Sequence, residues 1–214
     1  MPVGKKPMIQ YPIEQLTGAG IREILIVTGR EHMGDVVNLL GSGIDFGCNF
    51  TYKVQDMAGG IAQALGLAEH FAGGDSIVVL LGDNVFGDDL SGFIKRFDKQ
   101  KAGAKVLIKE VSDPERFGVA EIKGKKIVSI EEKPKRPKSK FAVTGIYMYD
   151  NRVFEIIRKL KPSGRGELEI SDVNSAYLKK GELEYEVLPG YWTDAGTFDT
   201  LEKASKLVEG EGGR

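Results

Sequence analysis

Residues 76–84 read SIVVLLGDN, a run of apolar side chains from Ile77 to Leu81 that stops at Gly82-Asp83-Asn84. A run this short and this continuously apolar predicts a strand covered on both faces, as in a sheet sandwiched between helices. The segments around it alternate in type. REILIVTG (22–29) and NFTYKVQ (49–55) read as strands. Helical spacing predicts helices over 7–20, 31–40 and 59–73, the first with a kink or break at Pro12 and the last with Ile61, Ala64, Leu65, Ala68 and Phe71 on one face. Strands separated by helices imply right-handed crossovers and a mostly parallel sheet.

Beyond residue 103 the character changes. AKVLIKEV (104–111), FGVAEIKGKKIVSIEEKP (117–134) and FAVTGIYMYD (141–150) predict strands, the second a hairpin turning at Lys123-Gly124-Lys125. Helices are predicted over 151–162, 166–180 and 197–210, with a strand at 182–189 and a frayed tail at 209–214. No repeat and no low-complexity linker interrupts the chain. One α/β domain with a β-rich insertion is the expectation.

The 214 residues can bury a sizeable core. A formal net charge of -1, with acids and bases mixed, leaves no footprint for nucleic acid or an acidic membrane. The single Cys48 cannot form an intramolecular disulfide and is expected to be a small buried apolar residue. With no secretory segment and no long apolar span, a cytoplasmic protein is expected. His32 and His70 have no partner at metal-ligand spacing, and G-x-S-x-G, H-E-x-x-H and paired C-x-x-C motifs are absent, so hydrolase triads and zinc sites find no support.

Several residues could carry chemistry. Asp83 follows a buried strand, where ligands of open α/β sheets gather, and suits a hard cation such as Mg²⁺; a turn or a helix N-cap is the competing reading. Asp194, in GYWTDAGT (190–197), could supply the second carboxylate or could make an Asx-turn. Gln55 offers a donor and an acceptor that match the imide edge of uracil or thymine, or could satisfy its own loop. Arg165, between glycines, suits bidentate phosphate contact or a surface ion pair. Glu132 and Lys133 stand at the end of the strand KIVSIEE within an otherwise solvated charge run.

The ordered series PVGKKPMIQYPIEQL, KVQDMAGGIAQAL, VLLGDNVFGDDL, VSDPERFGVAEI, IVSIEEKPKRPKSKFAVTGIYMYD, LKPSGRGELEISDVN and GYWTDAGTFDTL resembles the glucose-1-phosphate thymidylyltransferases of the sugar-phosphate nucleotidyltransferase family. The resemblance runs from Pro2 to the last helix. It implies a three-layer, Rossmann-like fold, with residues 1–103 forming a nucleotide-binding part and 104–214 a sugar-phosphate-binding part. It further implies transfer of a nucleoside monophosphate from dTTP, or UTP, to glucose 1-phosphate with release of pyrophosphate. Carried over residue by residue, Gln55 and Gly60 hold the base and Asp83 and Asp194 bind Mg²⁺. Phe117, Gly118, Glu132, Lys133 and Val143 line the sugar-phosphate pocket, and Arg165 binds phosphate. Asp83, Lys133, Arg165 and Asp194 become the candidate catalytic residues. Phe117 stands where close relatives often carry Tyr, which removes a phenol and leaves sugar preference open, and GYWTDAGT is shorter than its counterpart in well-known bacterial members. Homo-oligomers are usual in the family.

MPVGKKPMIQYPIEQL (1–16) opens on a helix with no strand ahead of it. In the family a central strand and a G-G-x-G-T-R-L loop that cradles the triphosphate precede this segment. Their absence from the chain predicts unpaired edges on the strands containing ILIVTG and IVVLL. It also predicts weak or no turnover by this exact polypeptide, with activity in a version extended upstream. A uridylyltransferase and a non-catalytic sugar-phosphate-binding homologue are the rival readings.

Overall fold

The computed structural model describes residues 1–100 and 102–210. A two-residue hairpin, β1 (Pro2–Val3) and β2 (Lys6–Pro7), precedes helix α1 (Gln10–Gly18). Pro12 does not kink α1. It lies in the first turn, where a backbone N–H has no intrahelical acceptor, so the ring costs the helix nothing. β3 (Glu23–Gly29) then leads through α2 (Met33–Leu40) to β4 (Asn49–Gln55), and the two strands pair in parallel. The helix predicted over 59–73 is two, α3 (Ile61–Gly66) and α4 (Glu69–Ala72), broken at Leu67-Ala68.

The apolar run forms β5 (Ile77–Leu80), and a tight turn through Asp83 leads to β6 (Asn84–Phe86). No helix follows Asp83 directly, so the N-cap reading of that residue falls. Helix α5 (Ser91–Gln100) crosses to β7 (Ala104–Glu110), and the hairpin β8 (Gly118–Lys123) and β9 (Lys126–Glu132) turns at Gly124-Lys125 as its sequence predicts. β10 (Phe141–Tyr149), α6 (Val153–Ile157), α7 (Ile170–Lys179), β11 (Leu183–Val187), β12 (Trp192–Asp194) and α8 (Phe198–Val208) complete the order. Thr197 caps α8 through a reciprocal pair with Thr200. Of the tail expected to fray, 211–214 lie outside the described residues.

The main sheet runs β11-β7-β10-β8-β9, with β5 also on β10. It is mixed and not mostly parallel: β11 joins β7 in parallel, whereas β10 is antiparallel to β7, β8 and β5. The parallel expectation fails because β10 returns between its neighbours as the centre of the sheet, a placement no local pattern announces. Helices α3, α6 and α7 pack one face of the sheet and α5 the other, which gives three layers. Cys48 is buried in a third cluster that joins α1, β3 and β4 to Val78 and Leu80.

Two features of β10 position the site. One edge of it pairs with β5 through Ile146–Tyr149 but with β8 through Ala142 and Val143, so the sheet forks, and the pairing with β7 is irregular between Val143 and Tyr147. Gly145 stands at the fork. A Cβ there would lie 2.6 Å from Asn84 Nδ2 and 2.7 Å from Leu81 Cγ, so only glycine lets the β5–β6 turn seat against β10. On the far side of the sheet, β3 pairs with β4 alone and β5 with β10 alone, and the two share no hydrogen bond among the described residues. The side chains of β5 are accordingly half-buried, not enclosed. No helix of the described residues is long and apolar enough to cross a membrane.

Candidate active site

The fork opens into a cavity of about 540 Å³ lined by Asp83, Phe117, Gly118, Glu132, Lys133, Val143, Arg165 and Asp194. Eight residues read from separate stretches of sequence thus meet at one place. The remaining two do not line it. Gln55 Nε2 donates to the Gly60 carbonyl at 3.1 Å and to Gln63 Oε1 at 2.5 Å, so its amide is spent on its own loop. Gly60 has φ +93° and a Cβ on it would lie 2.5 Å from the Leu168 carbonyl oxygen. The cause is a stitch between two loops: Leu168 N–H donates to Gly59 O at 2.8 Å, and Ala62 N–H to Leu168 O at 3.2 Å. That stitch fastens the loop carrying Arg165 to the loop carrying Gln55.

Asp83 and Asp194 are brought together by a ribbon that sequence reasoning missed. β6 and β12, three residues each, pair antiparallel with Asp194 opposite Asn84, and Ala195 N–H donates to the Asp83 carbonyl at 2.8 Å. Both carboxylates face Gly196, where an added Cβ would lie 3.3 Å from Asp83 Oδ2 and 3.6 Å from Asp194 Oδ2. The space between the acids is therefore one that any side chain at 196 would fill. Burial, with the Asp83 charge adding to it, raises the Asp194 carboxyl above its ordinary range, while Arg116 pulls it back. Arg116 donates to Asp194 Oδ2 and Asp113 Oδ2, each at 2.9 Å, and lies over the Phe117 ring, which meets Trp192 edge-on.

Across the cavity, Arg165 donates to both oxygens of Glu169, at 2.7 and 3.1 Å, and approaches Glu167 at 3.3 Å and Glu132 at 3.9 Å. Two of these acids, Glu169 and Glu132, diverge for a reason of geometry. Glu169 is held below the ordinary carboxylate range against its burial, because Arg165 and Ser163 both donate to it. Glu132 stands farther from the guanidinium, and burial, with the Glu169 charge adding to it, pushes it up against the pull of a Ser171 hydrogen bond and of Lys133 and Arg165. Lys133 is the one non-glycine residue with positive φ among those described, at 42°, a conformation costing roughly 1 kcal/mol. Its N–H is pinned to the Phe117 carbonyl at 3.0 Å, which ties the end of β9 to the floor of the cavity.

The chain matches one family model, nucleotidyl transferase, over residues 1–211. The chain belongs to the nucleotidyl transferase family. It is 47% identical to a glucose-1-phosphate thymidylyltransferase of Neisseria meningitidis over 213 residues, 98% of this chain and 74% of the relative. With one from Mycolicibacterium smegmatis it shares 44% over 212 residues, 97% of this chain and 73% of the other. Among solved structures, a Bacillus anthracis protein provisionally assigned as a glucose-1-phosphate thymidylyltransferase, in complex with a sucrose, superposes with TM-score 0.94 at 58% identity, covering 98% of this chain and 85% of that one. A UDP-glucose pyrophosphorylase complexed with UDP-glucose superposes at 0.86 with 26% identity, over 99% and 89%.

Within this nucleotidyl transferase the raised acids have a measurable consequence. A carboxyl that keeps its proton above the unfolded value makes the native state bind more protons than the unfolded chain, so stability falls as pH rises through that window. The charge on Glu132 thus weighs against the fold as pH rises. Glu132→Gln is expected to raise Tm by roughly 2 °C at pH 7 and to give no gain near pH 4. Thermal melts at both pH values check this, and a Tm lowered at pH 7 refutes it.

Proposed function

We propose that the chain transfers dTMP from dTTP to glucose 1-phosphate, giving dTDP-glucose and pyrophosphate, with Mg²⁺ held by Asp83 and Asp194. One observation carries the reading: a paired carboxylate cradle over Gly196 and a guanidinium-bearing loop line a single cavity. The thymidylyltransferase names of the relatives support the substrates. Two carboxylates completed by substrate phosphates suit a small hard cation, which neutralises charge on the reacting phosphates when bound.

The chain's own residues bind and orient. Arg165 and Lys133 take the sugar phosphate, and the oxygen of that phosphate is the nucleophile, so no side chain needs to form a covalent intermediate. Gly118 keeps the floor open for the sugar, since a Cβ there would lie 3.3 Å from Glu132 Oε2. Gln55 reads the base once its amide leaves the Gly60 carbonyl. Phe117 has no phenol to offer a sugar hydroxyl. A cytoplasmic location and self-association belong to the same proposal.

Calorimetric titration tests it directly. The protein is expected to bind glucose 1-phosphate, and to bind dTTP far better with Mg²⁺ than with chelator. Pyrophosphate release with dTTP, glucose 1-phosphate and Mg²⁺ is expected to accompany formation of dTDP-glucose. Sugar-phosphate binding without metal-dependent nucleotide affinity would establish a non-catalytic binder instead. Equal affinity for UTP would favour the uridylyl reading, to which the likeness to a UDP-glucose pyrophosphorylase lends weight.

A further inference from the structure

Asn174 lies on α7 and lines the cavity floor, with 0% of its surface exposed. Its Oδ1 accepts the Tyr149 hydroxyl at 2.6 Å, and that phenol is itself clamped between the rings of Tyr147 and Tyr177, at 6.0 and 5.8 Å. The other half of the amide, Nδ2, has no partner. Asn174 is the only cavity-lining residue among those described with a fully buried polar atom left unpaired. A buried N–H₂ without an acceptor is costly, and native proteins keep such groups where something else completes them. Beside it the Tyr147 phenol, 3% exposed, also lines the cavity and makes no hydrogen bond to a described residue.

The amide cannot easily turn away to save itself, because Oδ1 is fixed by a phenol that cannot move. The missing partner must therefore come from the cavity and must be a hydrogen-bond acceptor small enough to reach its floor. The cations Arg165 and Lys133 line the same cavity, so the phosphate of a sugar 1-phosphate has partners there and its ring hydroxyls are left for Asn174. We propose that Asn174 Nδ2 donates to one ring hydroxyl of the sugar phosphate and is a specificity-determining residue for the sugar, with Tyr149 as its positioning residue. The inference rests on the sugar-phosphate reading given above. A site built to bond a hydroxyl discriminates strongly against the analogue that lacks it, since the donor is then left unpaired.

Trp192, the single tryptophan, lines the same cavity and reports binding without turnover. Titrations with glucose 1-phosphate and its 2-, 3-, 4- and 6-deoxy analogues are expected to show one analogue binding about ten- to a hundredfold more weakly than the rest. Asn174→Ala is expected to bind glucose 1-phosphate weaker by a similar factor and to lose the discrimination against that one analogue, with dTTP affinity unchanged. Asn174→Ala combined with Tyr149→Phe removes both members of the buried pair and leaves no orphaned phenol, so it answers the question should the single variant not fold. Equal weakening for every sugar phosphate in the variants marks a structural role and overturns the proposal, as does unchanged affinity. Failure of the unaltered protein to bind glucose 1-phosphate at all removes the function proposed above and this inference with it.

Discussion

Asp194→Asn is expected to cost about a hundredfold or more in divalent-cation affinity in the presence of dTTP, equivalent to ~3 kcal/mol, while leaving the fold as stable as before or more so. The two halves of this expectation have one origin. Asp194 lies beside Asp83, and burial, with the Asp83 charge adding to it, raises its carboxyl against the pull of Arg116, so its ionisation runs against the preference of the native state. Removing that charge relieves the native state, and Arg116 keeps its second partner in Asp113. A bound cation, by contrast, draws on this unfavourable closeness: two carboxylates converging on Gly196 offer it negative charge already in place. Titration of Mn²⁺ followed by electron paramagnetic resonance, with dTTP present, measures the first half. Thermal melts at pH 7 measure the second. Retained affinity would mean that the carboxylate pair does not hold a metal, and a fall in Tm of several degrees would mean that Asp194 is chiefly a structural partner of Arg116.

The strands could be read from sequence because apolar runs and β-branched residues are local properties, whereas their partners could not. β10 reads plainly as a strand in FAVTGIYMYD, yet nothing in it announces that β5 and β8 will share one of its edges and fork at Gly145. The β6–β12 ribbon shows the same limit in sharper form. Three residues on each side, more than a hundred positions apart, carry almost no propensity signal, and they bring the two acids together. Asp83 and Asp194 each read as a ligand or a turn residue, and their convergence depends on tertiary pairing alone. Arg116 was in view inside DPERFG, but its double ion pair depends on Asp194 arriving from the far end of the chain. Gln55 stands differently: the local reading, an amide that satisfies its own loop, describes its present contacts. No local pattern singles out Asn84 or Asn174, since burial and unpaired atoms are properties of the fold alone.

Asn84→Ala is expected to lower Tm by about 10 °C and to weaken cation binding about tenfold. The residue is 2% exposed and uses both ends of its amide. Oδ1 accepts from Gly145 N–H at 2.9 Å and from Trp192 Nε1–H at 2.7 Å, and Nδ2 donates to Asp83 Oδ1 at 2.8 Å. Truncation leaves two buried N–H groups unpaired, each worth about 1–3 kcal/mol, and opens a void beside Leu81. For a chain of this length each kcal/mol moves Tm by roughly 2–4 °C, so a loss near 3 kcal/mol produces the expected shift. The same side chain joins the three parts from which the site is assembled: the fork at Gly145, the Trp192 ribbon and the Asp83 carboxylate. Stability and cation affinity must therefore fall together in this variant, whereas in Asp194→Asn they part. Differential scanning calorimetry and the Mn²⁺ titration read the two effects on one protein sample. A Tm change below 2 °C would show that the neighbouring N–H groups find other acceptors, and unchanged cation affinity would show that Asp83 needs no second residue to aim it.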